Sequence, residues 1–189
     1  MSTPMLTRIR PRPLVELARR DLPGPVDVVN LITTERFDRY RWYALLVLPV
    51  MTAVGGRVHW MGRFDASVAG EQQADKLLIV SYPSHRRFLA MVLNPYYIAI
   101  NKLREAGVRR FEASFTHASH RDPELHHRRL LVAVHFTSPS GGDALPGVVA
   151  AMTPVAGELV YATRAVAGLN FLTPSLATDP QPRTFGELA

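Results

Sequence analysis

The clearest pattern of apolar and polar positions lies between residues 37 and 64. Apolar residues recur there at spacings of three and four, which places them on one face of a helix; they are Phe37, Tyr40, Ala44, Val47, Met51 and Val54. Gly55 and Gly56 follow, and glycine readily adopts the left-handed conformation that ends a helix. Residues 57–64 then alternate polar and apolar side chains over their first half. This stretch therefore predicts a helix, a turn and a strand.

The start and the middle of this helix carry two further signals. Thr33 or Thr34 is a candidate N-cap, and Glu35 suits the positive end of the helix dipole. Pro49 lies within the helical pattern, where proline costs about 3 kcal/mol unless the helix kinks or restarts. We therefore expect a helix from about Glu35 with a kink near Leu48.

Three further apolar runs predict strands, at residues 26–32, 76–82 and 109–117. Ser84 after Pro83, and Asn94 before Pro95, are typical helix starts, and Gly107 predicts the end of the second of these helices. The order of elements over residues 26–117 is β-α-β-β-α-β. This order predicts an α+β, ferredoxin-like domain whose antiparallel sheet has helices on one face, so that a second molecule or the C-terminal half of the chain must cover the other face.

The segments on either side of this domain have different compositions. Residues 1–25 form an arm rich in proline and arginine, with one helical turn expected over residues 14–20. Residues 118–129 are polar and predict a linker, and residues 173–189 form a tail without an assignable element.

Between them, residues 130–172 predict a partial β-α-β repeat, with strands at 130–136 and 158–166 and a helix at 143–156. The sequence MTAVGGRVHW at residues 51–60 aligns with MTPVAGELVY at residues 152–161, which favours a repeat over two unrelated units.

Composition limits the classes of partner. With 47% hydrophobic and 20% charged residues, the chain has the composition of a soluble globular protein. The net charge of +6 comes mostly from arginines spread along the chain, so no nucleic-acid partner is expected. No apolar run reaches the roughly 20 residues needed to cross a bilayer, so no membrane partner is expected. The absence of cysteine excludes disulfides, and the lack of a secretory signal predicts a cytoplasmic protein.

Several of these motifs together resemble the domain-of-unknown-function family numbered thirteen-thirty, in the dimeric α/β-barrel superfamily. The resemblance covers residues 27–116. It depends on an ordered set of short motifs: Val29-Asn30, Gly55-Gly56-Arg57-Val58, Gly62, Tyr82-Pro83-Ser84 with Phe88, Asn94-Pro95-Tyr96-Tyr97, and Leu103-Arg104-Glu105-Ala106-Gly107. The resemblance implies a homodimer with sheet packed against sheet, and a ligand pocket between sheet and helices.

Three residues are candidates for catalysis in such a pocket. His59 can act as a general base, since the ordinary pKa of imidazole lies near 6.5. Asn30 and Tyr82 can donate hydrogen bonds to a developing oxyanion. The structural alternatives are a surface or hydrogen-bonded histidine, an amide bonded to neighbouring backbone, and a tyrosine that only packs in the core.

Four other residues are candidates for binding a substrate: Tyr40, Tyr43, Trp60 and Arg63. The tyrosines and the tryptophan are also explained by core packing, and Arg63 by a surface ion pair. Histidines and carboxylates crowd the predicted linker, but without the spacing of a helical metal motif they favour a solvated segment; they are His117, His120, His126, His127, Asp122 and Glu124. Haem binding through His59 or His117 is a weaker alternative, and we expect no metal and no cofactor.

These observations favour an enzyme of small-molecule metabolism that works without a metal. The expected reaction class is an isomerase, cyclase, lyase or cofactor-free oxygenase acting on an apolar, enolisable ligand, with His59 moving the proton. Whether the chain is catalytic is uncertain from its sequence, because this expectation depends on analogy of fold. The alternative is a non-catalytic dimeric module for ligand binding or assembly.

Overall fold

The computed structural model describes residues 11–64, 74–124 and 160–170. Within them lie four helices and five strands. In chain order these are α1 (Pro11–Arg19), β1 (Val26–Thr34), α2 (Phe37–Ala53), β2 (Arg57–Arg63), β3 (Lys76–Tyr82), α3 (His85–Val92), α4 (Pro95–Gly107), β4 (Val108–Arg121) and β5 (Tyr161–Asn170). No helix in the described part of the chain is long and apolar enough to span a membrane.

The five strands form one antiparallel sheet in the order β2-β3-β1-β4-β5. The first four strands and the intervening helices follow the predicted β-α-β-β-α-β order, with two consecutive helices, α3 and α4, in the second helical position. The α+β fold class is confirmed. The predicted strand at 76–82 is exact, whereas β1 and β4 extend beyond their predicted ends.

The helix ends show which local signals the chain uses. The Ser84 hydroxyl accepts from Arg87 N at 3.3 Å, and the Asn94 side chain accepts from Tyr96 N at 2.8 Å, so both predicted caps are confirmed. Gly55 has φ of 82°, as expected where α2 ends. α2 runs from Phe37 to Ala53 with Pro49 inside it.

The predicted cap of α2 by Thr33 or Thr34 is wrong. Both threonines belong to β1, and Thr34 bonds the carboxylate of Asp75 through its backbone N–H and its hydroxyl. The carbonyl of Gly107 instead accepts the backbone N–H groups of Glu35 and Arg36, at 2.9 and 3.1 Å. A distant turn thus satisfies donors just ahead of this helix, which a local sequence pattern does not reveal.

The helices cover one face of the sheet and form the main core with it. β1 contributes Val26, Val28 and Ile32 to this face, and α3 contributes Phe88, whose ring stands edge-on against Phe115 of β4 at 4.9 Å between centroids. Leu14 and Leu17 of α1 belong to the same core. Part of the predicted N-terminal arm therefore packs on its own domain as a nine-residue helix.

The other face of the sheet, here called the second face, is also buried. Asp27 pairs with Ser81 of β3 and Thr116 of β4, and alternation along β1 places all three opposite the helices. Leu77 and Ile79 of β3 share this face and are buried in a single copy of the chain. A second copy is therefore not needed to bury them, and the expected homodimer stays a prediction.

The C-terminal region departs from the sequence analysis at two boundaries. β4 continues to Arg121, so the first four residues of the predicted linker at 118–129 belong to a strand. The last strand of the predicted repeat is found as β5, three residues later than its expected start. The strand expected at 130–136 and the helix expected at 143–156 lie outside the described residues.

Gly107, at the end of α4, lies so close to the backbone of α2 that a larger residue is expected to destabilise the fold. A Cβ atom on Gly107 would lie 2.6 Å from the backbone N of Tyr40 and 3.1 Å from the backbone O of Arg36. Because backbone cannot move aside as a side chain does, Gly107→Ala is expected to lower the free energy of unfolding by about 1–3 kcal/mol, measured by chemical denaturation.

Ala106→Ser is the matched control, because Ala106 is the exposed neighbour in the same helix. It should change the free energy of unfolding by no more than about 0.5 kcal/mol. Equal stability of Gly107→Ala and the wild type would show that the approach of these two segments is not tight.

Candidate functional site

The polar cluster on the second face is built around Asp27. This carboxylate lies in the middle of the sheet and is only 2% exposed. It accepts hydrogen bonds from a guanidinium nitrogen of Arg121 and, at 2.7 Å, from the hydroxyl of Tyr161. A buried carboxylate needs such partners, because an uncompensated charge in the interior costs several kcal/mol.

Arg121 reaches Asp27 from the far end of β4, well beyond the last residue of β4 that pairs with β1. The pairing of β4 with β5 has two register shifts, between Phe115 and Thr116 and between Ala118 and His120. Such irregularities bend and twist a strand. They account for a path that carries Arg121 back to Asp27.

His59 joins the cluster from β2, at the opposite edge of the four-stranded unit. The pairing of β2 with β3 shifts between Val58 and Trp60, so His59 is the extra residue of a bulge. Its Nε2 lies 3.1 Å from Nη1 of Arg121. Since arginine only donates hydrogen bonds, His59 Nε2 accepts and its ring is neutral in this arrangement.

Tyr161 completes the cluster from β5. Burial raises the pKa of Tyr161 far above its ordinary value, and the adjacent charge of Asp27 raises it further. The hydroxyl therefore stays protonated and donates to Asp27. Thr116 supports the same carboxylate residue through its hydroxyl, which donates to the backbone oxygen of Asp27 at 3.3 Å.

The cluster, defined as Asp27, His59, Arg121 and Tyr161, combines side chains from four strands. It holds one negative charge, one positive charge, a neutral imidazole and a phenol within hydrogen-bonding contact. This set can bind an oxygen-rich group through Arg121. It can also move a proton through His59, once the Nε2 lone pair is no longer bonded to Arg121.

Asn30 and Tyr82, the other predicted catalytic residues, lie on the helix-covered face. The register pairs Val26 with Tyr82 and Asn30 with Leu78, which places both on the side opposite Asp27. Asn30 donates to the carbonyls of Val28 and Leu78, at 3.0 and 3.1 Å. Its amide thus makes the backbone contacts expected of a structural residue, and the structure does not bring it to His59.

Tyr82 packs in the core of the same face. Its ring stands edge-on to Phe88 at 5.3 Å, and its hydroxyl contacts the sulfur of Met91 at 3.6 Å. Burial raises the pKa of Tyr82 well above its ordinary value.

Tyr40 and Tyr43 lie between α2 and α4 around the buried guanidinium of Arg104. Arg104 lies 5.9 Å from the centre of the Tyr43 ring and 4.4 Å from that of Phe111, which are cation–π distances. Burial raises the pKa of Tyr40 to about 12. The two tyrosines thus belong to the packing between helices, separate from the cluster on the second face.

Trp60 and Arg63 both lie on β2 but on different faces. The bulge puts Trp60 opposite Ile79, on the second face, where its ring lies over Gly62; Arg63 pairs with Lys76 and is exposed. The alternation predicted from residue 57 onward is therefore interrupted at His59, and Met61 and Arg63 lie on the face of the helices. Of the predicted substrate-binding residues, Trp60 alone shares the face of Asp27.

The sequence analysis missed three members of the cluster. Asp27 interrupts an apolar strand, which was the available signal of a functional charge. Arg121 was assigned to a linker and Tyr161 to a repeat. Among the residues described, no three metal-ligating side chains come together, and His126 and His127 lie outside those residues. His117 instead contacts the carbonyl of Pro25 through Nδ1, at 3.2 Å.

Three solved structures show where the chain resembles other proteins. RPA0582, a protein of unknown function from Rhodopseudomonas palustris, is 26% identical with a TM-score of 0.51, over 53% of this chain and 87% of that chain. The methylated form of RPA0582 is 25% identical with a TM-score of 0.53, over 59% and 94%. A dabb family protein with a ferredoxin-like fold from Mesorhizobium loti is 11% identical with a TM-score of 0.38, over 49% and 95%. A search of curated proteins found no match.

The family model that matches is described as "Domain of unknown function (DUF1330)", and the match covers residues 28–113. It includes His59 and ends before Arg121 and Tyr161. The family predicted from the sequence motifs is the one whose model matches, and residues 28–113 resemble its members.

Proposed function

We propose that the chain binds a small, enolisable carbonyl compound against the second face of the sheet and moves a proton on it without a metal. The observation that carries this proposal is the contact of His59 and Asp27 with the same guanidinium, that of Arg121. The cluster thus places a cation that can bind an oxygen-rich group next to an imidazole that can accept a proton. Trp60, on the same face, supplies apolar surface beside it.

The bonds of Arg121 suggest how a ligand starts the reaction. Arg121 Nη1 donates to His59 Nε2, which occupies the lone pair that a base requires. A carbonyl or carboxylate oxygen that accepts from Nη1 in its place leaves Nε2 available. His59 then takes the proton from the carbon next to the carbonyl, while Arg121 stabilises the enolate oxygen. Asp27 keeps Arg121 in position throughout.

One observation favours a second candidate, a module that binds the ligand without reacting. In the structure every member of the cluster has a hydrogen-bond partner within it, and Asp27 is buried beneath both of its donors. A network whose members already bond one another can serve only to close the sheet and shape a pocket, although Nε of Arg121 is buried without a hydrogen-bond partner among the described residues. The two candidates share the location and differ in whether His59 ever accepts a proton.

Exchange of carbon-bound hydrogen tests the first candidate. In deuterated water the wild type should catalyse deuterium uptake next to the carbonyl of at least one compound in a panel of small 1,3-diketones and 2-oxo acids. His59→Gln should lower this rate by about 100-fold or more, because its amide oxygen still accepts from Arg121 but takes no proton. Proton NMR measures the rate.

His117→Gln is the control, since this histidine lies on β4 in contact with the carbonyl of Pro25, and alternation places it on the face opposite Asp27. It should exchange at the wild-type rate. An unchanged rate in His59→Gln would contradict the role of His59. If the wild type exchanges no compound but a panel member raises its melting temperature and Arg121→Gln abolishes that rise, the binding module is supported. Absence of both effects would contradict both candidates.

The phenol of Tyr161 predicts a pH dependence of stability. Its pKa is raised in the folded state by burial and by Asp27, so its contribution is complete below about pH 10 and is lost as the pH rises toward the folded-state value. The free energy of unfolding should therefore fall above about pH 10. Tyr40, Tyr43 and Tyr82 add to this fall, because their pKa values are also raised.

In Tyr161→Phe the free energy of unfolding should fall less steeply at alkaline pH, because one tyrosine no longer contributes to the fall. The measurement is the change of the denaturation midpoint between pH 9 and pH 11, a window about one unit either side of the ordinary pKa of tyrosine. A variant that removes no phenol is the control: Ala106→Ser should leave the slope unchanged. An unaltered slope in Tyr161→Phe would show that Tyr161 does not donate to a buried charge.

A further inference from the structure

The outer side of α2 carries an apolar surface that no described residue covers. Trp42 is 60% exposed, Leu45 51% and Leu46 36%, and Pro49 is exposed beside them. Their spacing of three, four and seven places them in one stripe along the helix. The opposite side of the same helix is anchored in the core by Tyr40, Tyr43, Val50 and Met51. We call the exposed stripe, Trp42, Leu45, Leu46 and Pro49, the α2 stripe.

Arginines flank the start of the α2 stripe. Arg39 lies one turn before Trp42, Arg41 lies one turn before Leu45, and Arg36 precedes the helix; all three are exposed. Glu35 and Asp38 are the acidic residues among them, and the carboxylate of Asp38 lies 3.9 Å from Nε of Arg39. The helix therefore presents a net positive end next to an apolar surface, in a chain whose net charge is +6.

Tyr96 of α4 holds the middle of this surface in place. Its hydroxyl donates to the carbonyl of Leu46 at 2.9 Å, and its ring is itself exposed. Pro49 removes the donor that would reach the carbonyl of Leu45, so this tyrosine bonds the helix just where its own ladder is interrupted. The α2 stripe is thus a fixed surface about 12 Å long, given 1.5 Å per residue over the eight residues from Trp42 to Pro49.

We propose that the α2 stripe docks this protein onto an anionic lipid surface. Exposed tryptophan and leucine on one side of a helix, with arginine at its margins, match the interfacial zone of a bilayer, where apolar side chains enter the acyl boundary and arginines meet lipid phosphates. Tyr96 extends the same surface with an amphipathic ring. The expectation of no membrane partner was based on the absence of a spanning segment, and this contact needs none.

Charge favours a lipid over a second copy of the chain. A symmetric contact through the α2 stripe would bring Arg36, Arg39 and Arg41 of two molecules to one interface, and each molecule already carries a net charge of +6. Like charges at an interface oppose association. Lipid phosphates complement the same arginines.

The test is co-sedimentation of the full chain with vesicles of phosphatidylglycerol and phosphatidylcholine in equal parts, and with vesicles of phosphatidylcholine alone. The wild type should sediment with the first and remain in solution with the second. The partition coefficient should fall about tenfold or more in each of two double variants, Leu45→Gln with Leu46→Gln and Arg39→Gln with Arg41→Gln. Both positions are exposed, so folding should survive, and circular dichroism checks this.

Arg86→Gln with Arg87→Gln is the matched control, because it removes two exposed arginines from α3 and leaves α2 unchanged. It should bind within about twofold of the wild type, whereas an equal loss would show charge attraction without a docking surface. Trp60→Phe leaves Trp42 as the single tryptophan, and its emission should shift to the blue on binding. The proposal would be overturned by equal binding to both kinds of vesicle or by no binding to either. It would also be overturned by a dimer in solution that the double variant Leu45→Gln with Leu46→Gln dissociates.

Discussion

The charge of Asp27 is the constraint on which the second face of the sheet depends. A carboxylate that is 2% exposed in the middle of a sheet needs a cation and hydrogen-bond donors, or folding leaves it uncompensated. Arg121 and Tyr161 supply them from β4 and β5. Register shifts in the pairing of β4 with β5, and the bulge at His59 in β2, lie along the strands that supply the partners of Asp27 and Arg121.

The cluster lies largely outside the segment shared with the DUF1330 family. The family match covers residues 28–113, and only His59 of the cluster falls within it. RPA0582, the solved structure of unknown function, likewise resembles about half of this chain. The chemistry proposed here therefore combines a histidine on a bulge of the family domain with residues from the longer β4 and from β5. A shorter member without these strands would lack Arg121 and Tyr161.

Local signals in the sequence predicted most of the four-stranded unit. Ser84 and Asn94 cap their helices through contacts within three residues, and Gly55 ends α2 through its own backbone, so spacing alone was sufficient. The failures came from distant contacts. α2 has no side-chain cap, and the backbone N–H groups just ahead of it bond to the carbonyl of Gly107; the bulge at His59 reverses the faces of the residues that follow it. Neither feature changes the spacing of apolar residues along the sequence, so periodicity does not predict it.

Of the three residues predicted for catalysis, one lies in the polar cluster on the second face. His59 was selected for its chemistry, and the structure brings it into a polar cluster. Asn30 and Tyr82 were selected as hydrogen-bond donors to an oxyanion, and the structure places both in the core under the helices. The complementary residues, Asp27 and Arg121, are 94 positions apart, and only the folded sheet joins them. A charge inside an apolar strand was the one clue to this pair in the sequence.

A double-mutant cycle on Asp27 and Arg121 tests the central claim most directly. The free energies of unfolding of Asp27→Asn, Arg121→Gln and the double variant are compared with that of the wild type. If the guanidinium compensates a buried carboxylate, Arg121→Gln alone destabilises the chain strongly, and the double variant loses less than the sum of the two single losses. The predicted interaction energy is about 1–3 kcal/mol. Losses that add within about 0.5 kcal/mol would show that the two side chains do not depend on each other, and would contradict the account.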